Sequence, residues 1–201
     1  MSVSRALLGD SDAPGHGPAA GPVPTRGVMP TFDELYETHV AFLYRSARGF
    51  GVGAHAVEDV VQDTFLVVHR RLPEFDGRGS VRAWLLRILF NVVREHRRRF
   101  SQRREDETLD DQRVADEHAA SPHEDAEIAE AGRMLEEILT SMDEDRRKVF
   151  VLAEIEGLPI PEIAEAMETS ANTTYSRLRL GRRDYDAAVA RLRARAARRR
   201  P

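Results

Sequence analysis

Between Ser101 and about Ala126 the sequence carries few large apolar side chains and concentrates charge of one sign. From Glu105 to Glu130 there are eleven acids against one base, Arg113. A stretch that cannot bury apolar surface does not offset the entropy of ordering itself, so it reads as a tether. It splits the chain into two segments with apolar residues at helical spacing, neither of which alternates like a strand. Aromatic residues make up only 6% of the chain, which suits small helical units better than one large core. The expected fold is all-α: two small helical domains over 31–100 and 128–185, joined by a flexible acidic linker over 101–127. Residues 1–30, rich in Gly, Pro and Ala, read as a disordered arm, and 186–201 as an Arg-rich tail.

Local signals set the helices. Thr31 followed by Glu34 forms a capping box in front of "FDELYETHVAFLYRSARGF", which Gly49, Gly51 and Gly53 close. A second helix spans about Ala54 to Arg71, ahead of Pro73. The loop "PEFDGRGS" leads to an N-cap at Ser80 and a third helix from about Val81 to Phe100. In the second half, periodicity resumes at Ile128, and "EDRRKVFVLAEIEG" ends at Gly157. Pro161 suits the first turn of a short helix to Met167. Thr169 or Ser170 then caps another helix, from about Ala171 to Asp184.

That last pair has the spacing of a helix-turn-helix, whose second helix enters the major groove. Thr174, Leu178, Gly181 and Tyr185 share an inward face. Asn172, Thr173, Ser176, Arg179 and Arg183 point outward, flanked by Tyr175 and Arg177. Amides, hydroxyls and guanidinium groups are the side chains that read base edges and phosphates. A plain helical hairpin with a solvated face fits the same pattern.

The first segment has two further faces. From Arg78 to Arg104 there are nine arginines against one acid, Glu95. Trp84, Arg87, Asn91, Arg94 and Arg98 follow at steps of 3, 4, 3 and 4, forming one stripe beside the apolar Leu85, Ile88, Leu89 and Val92. Arginine neutralises phosphate, and a ring can stack on an unpaired base; Trp84 fits a core role equally well. Glu58, Asp59 and Asp63 cluster on the second helix with no base one turn on, which fits either a basic partner surface or simple solvation.

Taken together, these segments resemble the bacterial sigma factors of the extracytoplasmic-function group. "AVEDVVQDTFLVVHRRLPEFDGRGSVRAWLLRILFNVVREHRRR" looks like that family's second conserved region, and "RRKVFVLAEIEGLPIPEIAEAMETSANTTYSRLRLGRR" like its fourth. The resemblance implies promoter recognition and opening by a dissociable polymerase subunit, with core RNA polymerase and promoter DNA as partners and an anti-sigma protein as a candidate third. Asp59, Gln62 and Asp63, with Glu58 beside them, match the helix that docks on the polymerase. Phe75, Asp76, Arg78 and Ser80 lie in the loop that captures a flipped −10 base. Trp84, Arg87, Asn91, Arg94 and Arg98 match the −10 recognition and melting helix. Tyr175, Ser176, Arg177 and Arg179, with Asn172, Thr173 and Arg183, match the −35 reading helix. Leu180 and Tyr175 stand where relatives often carry bases, which implies fewer phosphate contacts there; Arg182 and Arg183 are the compensating candidates. A tether of about 25 residues could reach about 80–90 Å extended, more than the about 58 Å between two promoter elements.

Other classes fit less well. A free-standing helix-turn-helix regulator binding an operator is the alternative, and an adaptor with charged docking blocks a third. The histidines show no HExxH spacing, and no phosphate loop or nucleophile elbow occurs, so an enzyme is not expected. "EHAASPHED" is the best that can be offered as a metal site, and no metal or other cofactor is expected. There is no cysteine. No apolar run spans a bilayer and no secretory layout opens the chain, so a cytoplasmic protein without membrane contact is expected.

Overall fold

A computed structural model describes residues 30–106 and 124–198. The arm before residue 30, most of the expected tether, Arg199 and Arg200, and the histidines of "EHAASPHED" lie outside the described residues.

The first half is three packed helices: α1 (Phe32–Gly49), α2 (Ala54–Arg71) and α3 (Val81–Asp106), with a 3₁₀ turn at Leu72–Glu74. The capping box is formed: Thr31 Oγ1 accepts from Glu34 N at 3.3 Å, and Glu34 Oε2 accepts from Thr31 N at 2.8 Å. Two of the donors that every helix start leaves unpaired are thereby satisfied. Leu35, Leu43 and Ala47 of α1 meet Val57, Val60, Val61, Phe65 and Val68 of α2 and Leu85, Leu86, Leu89 and Val93 of α3, all buried. Ser80 Oγ accepts from Ala83 N at 3.3 Å and opens α3 as expected.

The second half runs α4 (Glu124–Thr140), α5 (Glu144–Phe150), a π-helical turn (Val151–Ile155), α6 (Ile160–Ala166) and α7 (Ala171–Arg198). Val149, Leu152, Leu158, Ile163 and Leu178 build its interior, and Tyr185 stacks on Phe150 at 5.1 Å. Among the described residues no strand occurs, so the all-α expectation holds.

Three helix ends differ from the expectation. α3 continues six residues past Phe100 to Asp106, and α4 begins at Glu124 rather than Ile128. α7 continues into the expected tail, through Tyr185, Val189 and Leu192, whose spacing allows a helix to extend, and reaches Arg198. The sequence from Ala187 onward is almost wholly Ala, Leu and Arg, the strongest helix formers, and propensity carries the helix on after its apolar contacts thin out. Seventeen residues remain between α3 and α4. Fully extended they reach about 56–61 Å, so the margin over the about 58 Å promoter spacing largely vanishes if both helix ends persist.

The two halves pack against each other, and their buried apolar residues form one continuous cluster. At the end of α1, Gly49 is the point of closest approach: a Cβ there would lie 2.6 Å from Val151 Cγ1. Lys148 of α5 sits 5.2 Å over the ring of Phe90 in α3.

Candidate nucleic-acid interface

The turn between α6 and α7 is held by hydroxyls. Of the two candidate caps, Ser170 is the one used: its Oγ accepts from Thr173 N at 3.1 Å. Thr174 Oγ1 donates to Ser170 O at 3.1 Å and lies 3.1 Å from Thr169 Oγ1. Glu168 has φ +53, a left-handed conformation that a non-glycine residue adopts only where the chain must reverse sharply. This turn aims α7. Thr174, Leu178 and Gly181 face inward and are buried, as expected, and Tyr185 is half-buried against Phe150. Asn172, Thr173, Ser176, Arg179 and Arg183 are exposed, and Tyr175 is 59% exposed.

Arg177 differs from its neighbours. It is half-buried, with Nη2 2.6 Å from Asp145 Oδ2 of α5. Arg182 likewise pairs with Glu154 at 2.6 Å. Among the described residues Arg179 and Arg183 have no carboxylate partner. The outward face of α7 therefore presents two unengaged guanidinium groups, an amide, hydroxyls and a phenol, while Arg177 braces the domain.

On α3 the stripe is one face, but its members are not equally available. Asn91, Arg94 and Arg98 are exposed, and Trp84 and Arg87 are half-buried. Phe75, in the loop expected to capture a base, is 6% exposed, and its ring lies 4.9 Å from Trp84. The loop folds back because two large rings bury each other's apolar surface more cheaply than water does. Asp76 and Arg78 remain outside and pair with each other, Arg78 N donating to Asp76 Oδ1 at 2.9 Å. Arg94 donates to Asn91 Oδ1 at 2.8 Å. Glu95 holds both Arg98 at 3.0 Å and Arg99 at 3.1 Å. Those contacts, Arg98 foremost, keep the Glu95 carboxyl below the usual range.

On α2, Glu58, Asp59, Gln62 and Asp63 are all exposed. No described cation lies within ion-pair distance of the three acids. Asp63 stands at the rim of a groove between α2 and α3 that Arg70, Arg71, Asn91 and Arg99 also line, so the acidic face borders the basic one.

What sequence reasoning missed lies between the halves. Arg45 pairs with Glu156 at 2.8 Å, Arg48 with Glu136 at 3.2 Å and Arg82 with Glu162 at 2.9 Å. Arg87 pairs with Glu168 at 3.5 Å and Arg97 with Glu144 at 2.9 Å. In all five pairs the arginine belongs to the first half and the glutamate to the second. Ser80 Oγ also donates to Glu162 Oε1, and Ser80 N lies 3.3 Å from Glu165 Oε1. Gly79, at φ +80, lets Glu165 in, because a Cβ there would collide with its carboxylate. The available signal was Glu162, Glu165 and Glu168 at three-residue steps, an acidic ridge running along α6 into the turn after it. His39 borders this seam. Burial, and then the nearby Arg82, lower its pKa below the ordinary 6.5, against a smaller opposing pull from Glu162.

Among the described residues no group of His, Cys, Asp and Glu is arranged to hold a metal ion, and no helix is long and apolar enough to cross a membrane.

Comparison with known proteins agrees with this division. Residues 35–104 match Sigma-70 region 2 and residues 132–184 match Sigma-70 region 4. The chain is 31% identical over 157 residues to RNA polymerase sigma factor NccH of Alcaligenes xylosoxydans xylosoxydans, covering 76% of this chain and 83% of that protein. It is 30% identical over 163 residues to ECF RNA polymerase sigma factor SigE of Mycolicibacterium smegmatis, covering 80% of this chain and 63% of SigE. The solved structure of CnrH in complex with the cytosolic domain of CnrY superposes with TM-score 0.61 at 29% identity, over 79% of this chain and 87% of that one. The two matched regions coincide with the two helical halves, in the order the resemblance requires, and the chain belongs to the extracytoplasmic-function sigma factors of RNA polymerase.

Proposed function

We propose that the chain directs core polymerase to promoters with two elements, reading a −35 duplex with α7 and holding a melted −10 strand with α3 and the loop before it. The observation that carries this reading is the outward face of α7: Asn172, Ser176, Arg179 and Arg183 are exposed on one side of a helix that begins at the Ser170 cap after the Glu168 turn. Asn pairs with adenine and Arg with guanine in the major groove, and each good bidentate pair is worth about 1–3 kcal/mol of discrimination.

The polymerase contact is assigned to Glu58, Asp59, Gln62 and Asp63, exposed acids without described counter-ions that fit a basic partner surface. The −10 strand is assigned to Ser80, Trp84, Arg87, Asn91, Arg94 and Arg98, with Asp76 and Arg78 at the loop rim. Unstacking a base costs a few kcal/mol, and stacking on a ring plus phosphate neutralisation offsets it. For Phe75 to take part, its ring must leave Trp84 when the strand arrives. An anti-sigma protein is a further proposed partner, by analogy with CnrH, which was solved with CnrY.

The test is in vitro transcription by core polymerase with this chain on a pool of randomised promoters. The expected products share two sequence elements. Binding of a duplex operator by the chain alone, without polymerase-dependent initiation, would contradict the reading.

A further inference from the structure

We propose that the acidic ridge of α6 and the turn after it is an internal stand-in for the promoter strand: Glu162, Glu165 and Glu168 occupy the −10 cradle of the free chain and exclude DNA until the two halves are separated. The inference rests on the −10 assignment made above.

Three observations lead to it. The ridge lands on two groups assigned to the DNA strand, Ser80 and Arg87, and on Arg82 between them. Glu162 accepts from the Ser80 hydroxyl and from both arms of Arg82, the latter at 2.9 Å each, while Glu168 takes Arg87. Glu165 lies against the backbone N–H of Ser80, at the start of the 26-residue helix α3. A helix N-terminus with free N–H groups attracts phosphate, and here a carboxylate of the same chain fills that place.

The ion pairs across the seam share one polarity. All five described cross-pairs run from an arginine of the first half to a glutamate of the second. Ion pairs made only for cohesion have no need to run all one way. A surface that must later release to a polyanion does, because phosphates then replace carboxylates pair for pair.

The closed state is also poised rather than locked. Arg87 Nε and Arg147 Nε are buried without hydrogen-bond partners. Burial, and then the neighbouring Arg97, depress the pKa of Arg147. Unpaired buried donors are a cost that opening relieves.

Two variants test this without touching the DNA-facing residues. Gly49→Val drives a side chain into Val151 and wedges the halves apart at unchanged charge. Glu162→Gln combined with Glu165→Gln removes two of the decoy charges. Because the chain has no cysteine, labels placed at Glu37→Cys and Asp186→Cys report the separation by energy transfer. The free full-length chain is titrated with a fluorescein-labelled, random-sequence single-stranded DNA pool. If the closed form dominates, affinity is reduced by the fraction that is open, so both variants should lose energy transfer and bind about tenfold tighter or more. Unchanged DNA affinity in the glutamine variant overturns the proposal. So does a wedge variant that separates the labels without gaining affinity, since a gain confined to the glutamine variant is explained by net charge. Transcription by the reconstituted polymerase is scored separately: its failure counts against the promoter-reading function, not against the decoy.

Discussion

Arg82 of α3 and Glu162 of α6 face each other fork to fork, Nε to Oε1 and Nη2 to Oε2, both at 2.9 Å. Eighty residues separate them in sequence, yet Glu162 is only 10% exposed while Arg82 is 35% exposed. This pair holds the start of α3 against α6. Arg82→Ala and Glu162→Ala should therefore be non-additive in chemical denaturation, with a coupling energy of about 1–2 kcal/mol, the lower range for charged hydrogen bonds because one partner is partly solvated. Strictly additive effects would mean that the halves do not meet in solution as described.

His39 gives the seam a pH dependence. Its pKa in the closed form lies below 6.5, through burial first and the charge of Arg82 on α3 second, with Glu162 of α6 pulling the other way. The closed form thus resists taking up a proton that the open or unfolded form accepts. Its contribution is fully present above pH 6.5 and is lost as the pH falls from 6.5 towards the depressed value, below which it levels off. An NMR titration of the imidazole should give a midpoint under 6.5. Closure, followed by energy transfer, should weaken on acidification through that window, and His39→Gln should flatten the change. A midpoint at or above 6.5 contradicts the packing.

Arg177 and Arg179 separate two roles that adjacent sequence positions do not. Arg177→Ala breaks the 2.6 Å contact to Asp145 and should lower stability by about 0.5–1.5 kcal/mol, an effect Asp145→Ala reproduces. Arg179→Ala and Arg183→Ala should leave the melting temperature almost unchanged and reduce −35-dependent transcription about tenfold or more. Equal loss of promoter selectivity in the Arg177 and Arg179 variants, with none in the Asp145 variant, would put Arg177 back on the reading face.

Asp59→Ala with Asp63→Ala removes two exposed acids that have no described ion-pair partner. The fold should be unaffected, within about 0.5 kcal/mol by thermal unfolding, because such surface changes rarely cost more. Pull-down of core polymerase should fail. Normal binding would move the docking surface elsewhere.

Much of this was readable from residue order alone. The Thr31–Glu34 box, the Ser80 cap, the inward set Thr174, Leu178 and Gly181, and the stripe on α3 follow from local periodicity and capping, which need no knowledge of distant partners. The contacts between the halves were not readable, because nothing in the neighbourhood of Ser80 or Arg82 announces a carboxylate eighty residues on. The inward turn of the Phe75 ring was unreadable for the same reason, because only the tertiary position of Trp84 decides it. Counting nine arginines against one acid likewise hid that Glu95 alone restrains two of them.

The most direct test of the central claim is transcription from a randomised promoter pool by core polymerase, with the chain intact and with eight residues deleted between positions 107 and 123. The intact chain should select templates carrying two elements at fixed separation. The shortened chain, left with nine residues that reach about 30 Å, should still bind polymerase but lose joint use of the two elements. Identical template selection by both proteins, or none by the intact one, would contradict the account.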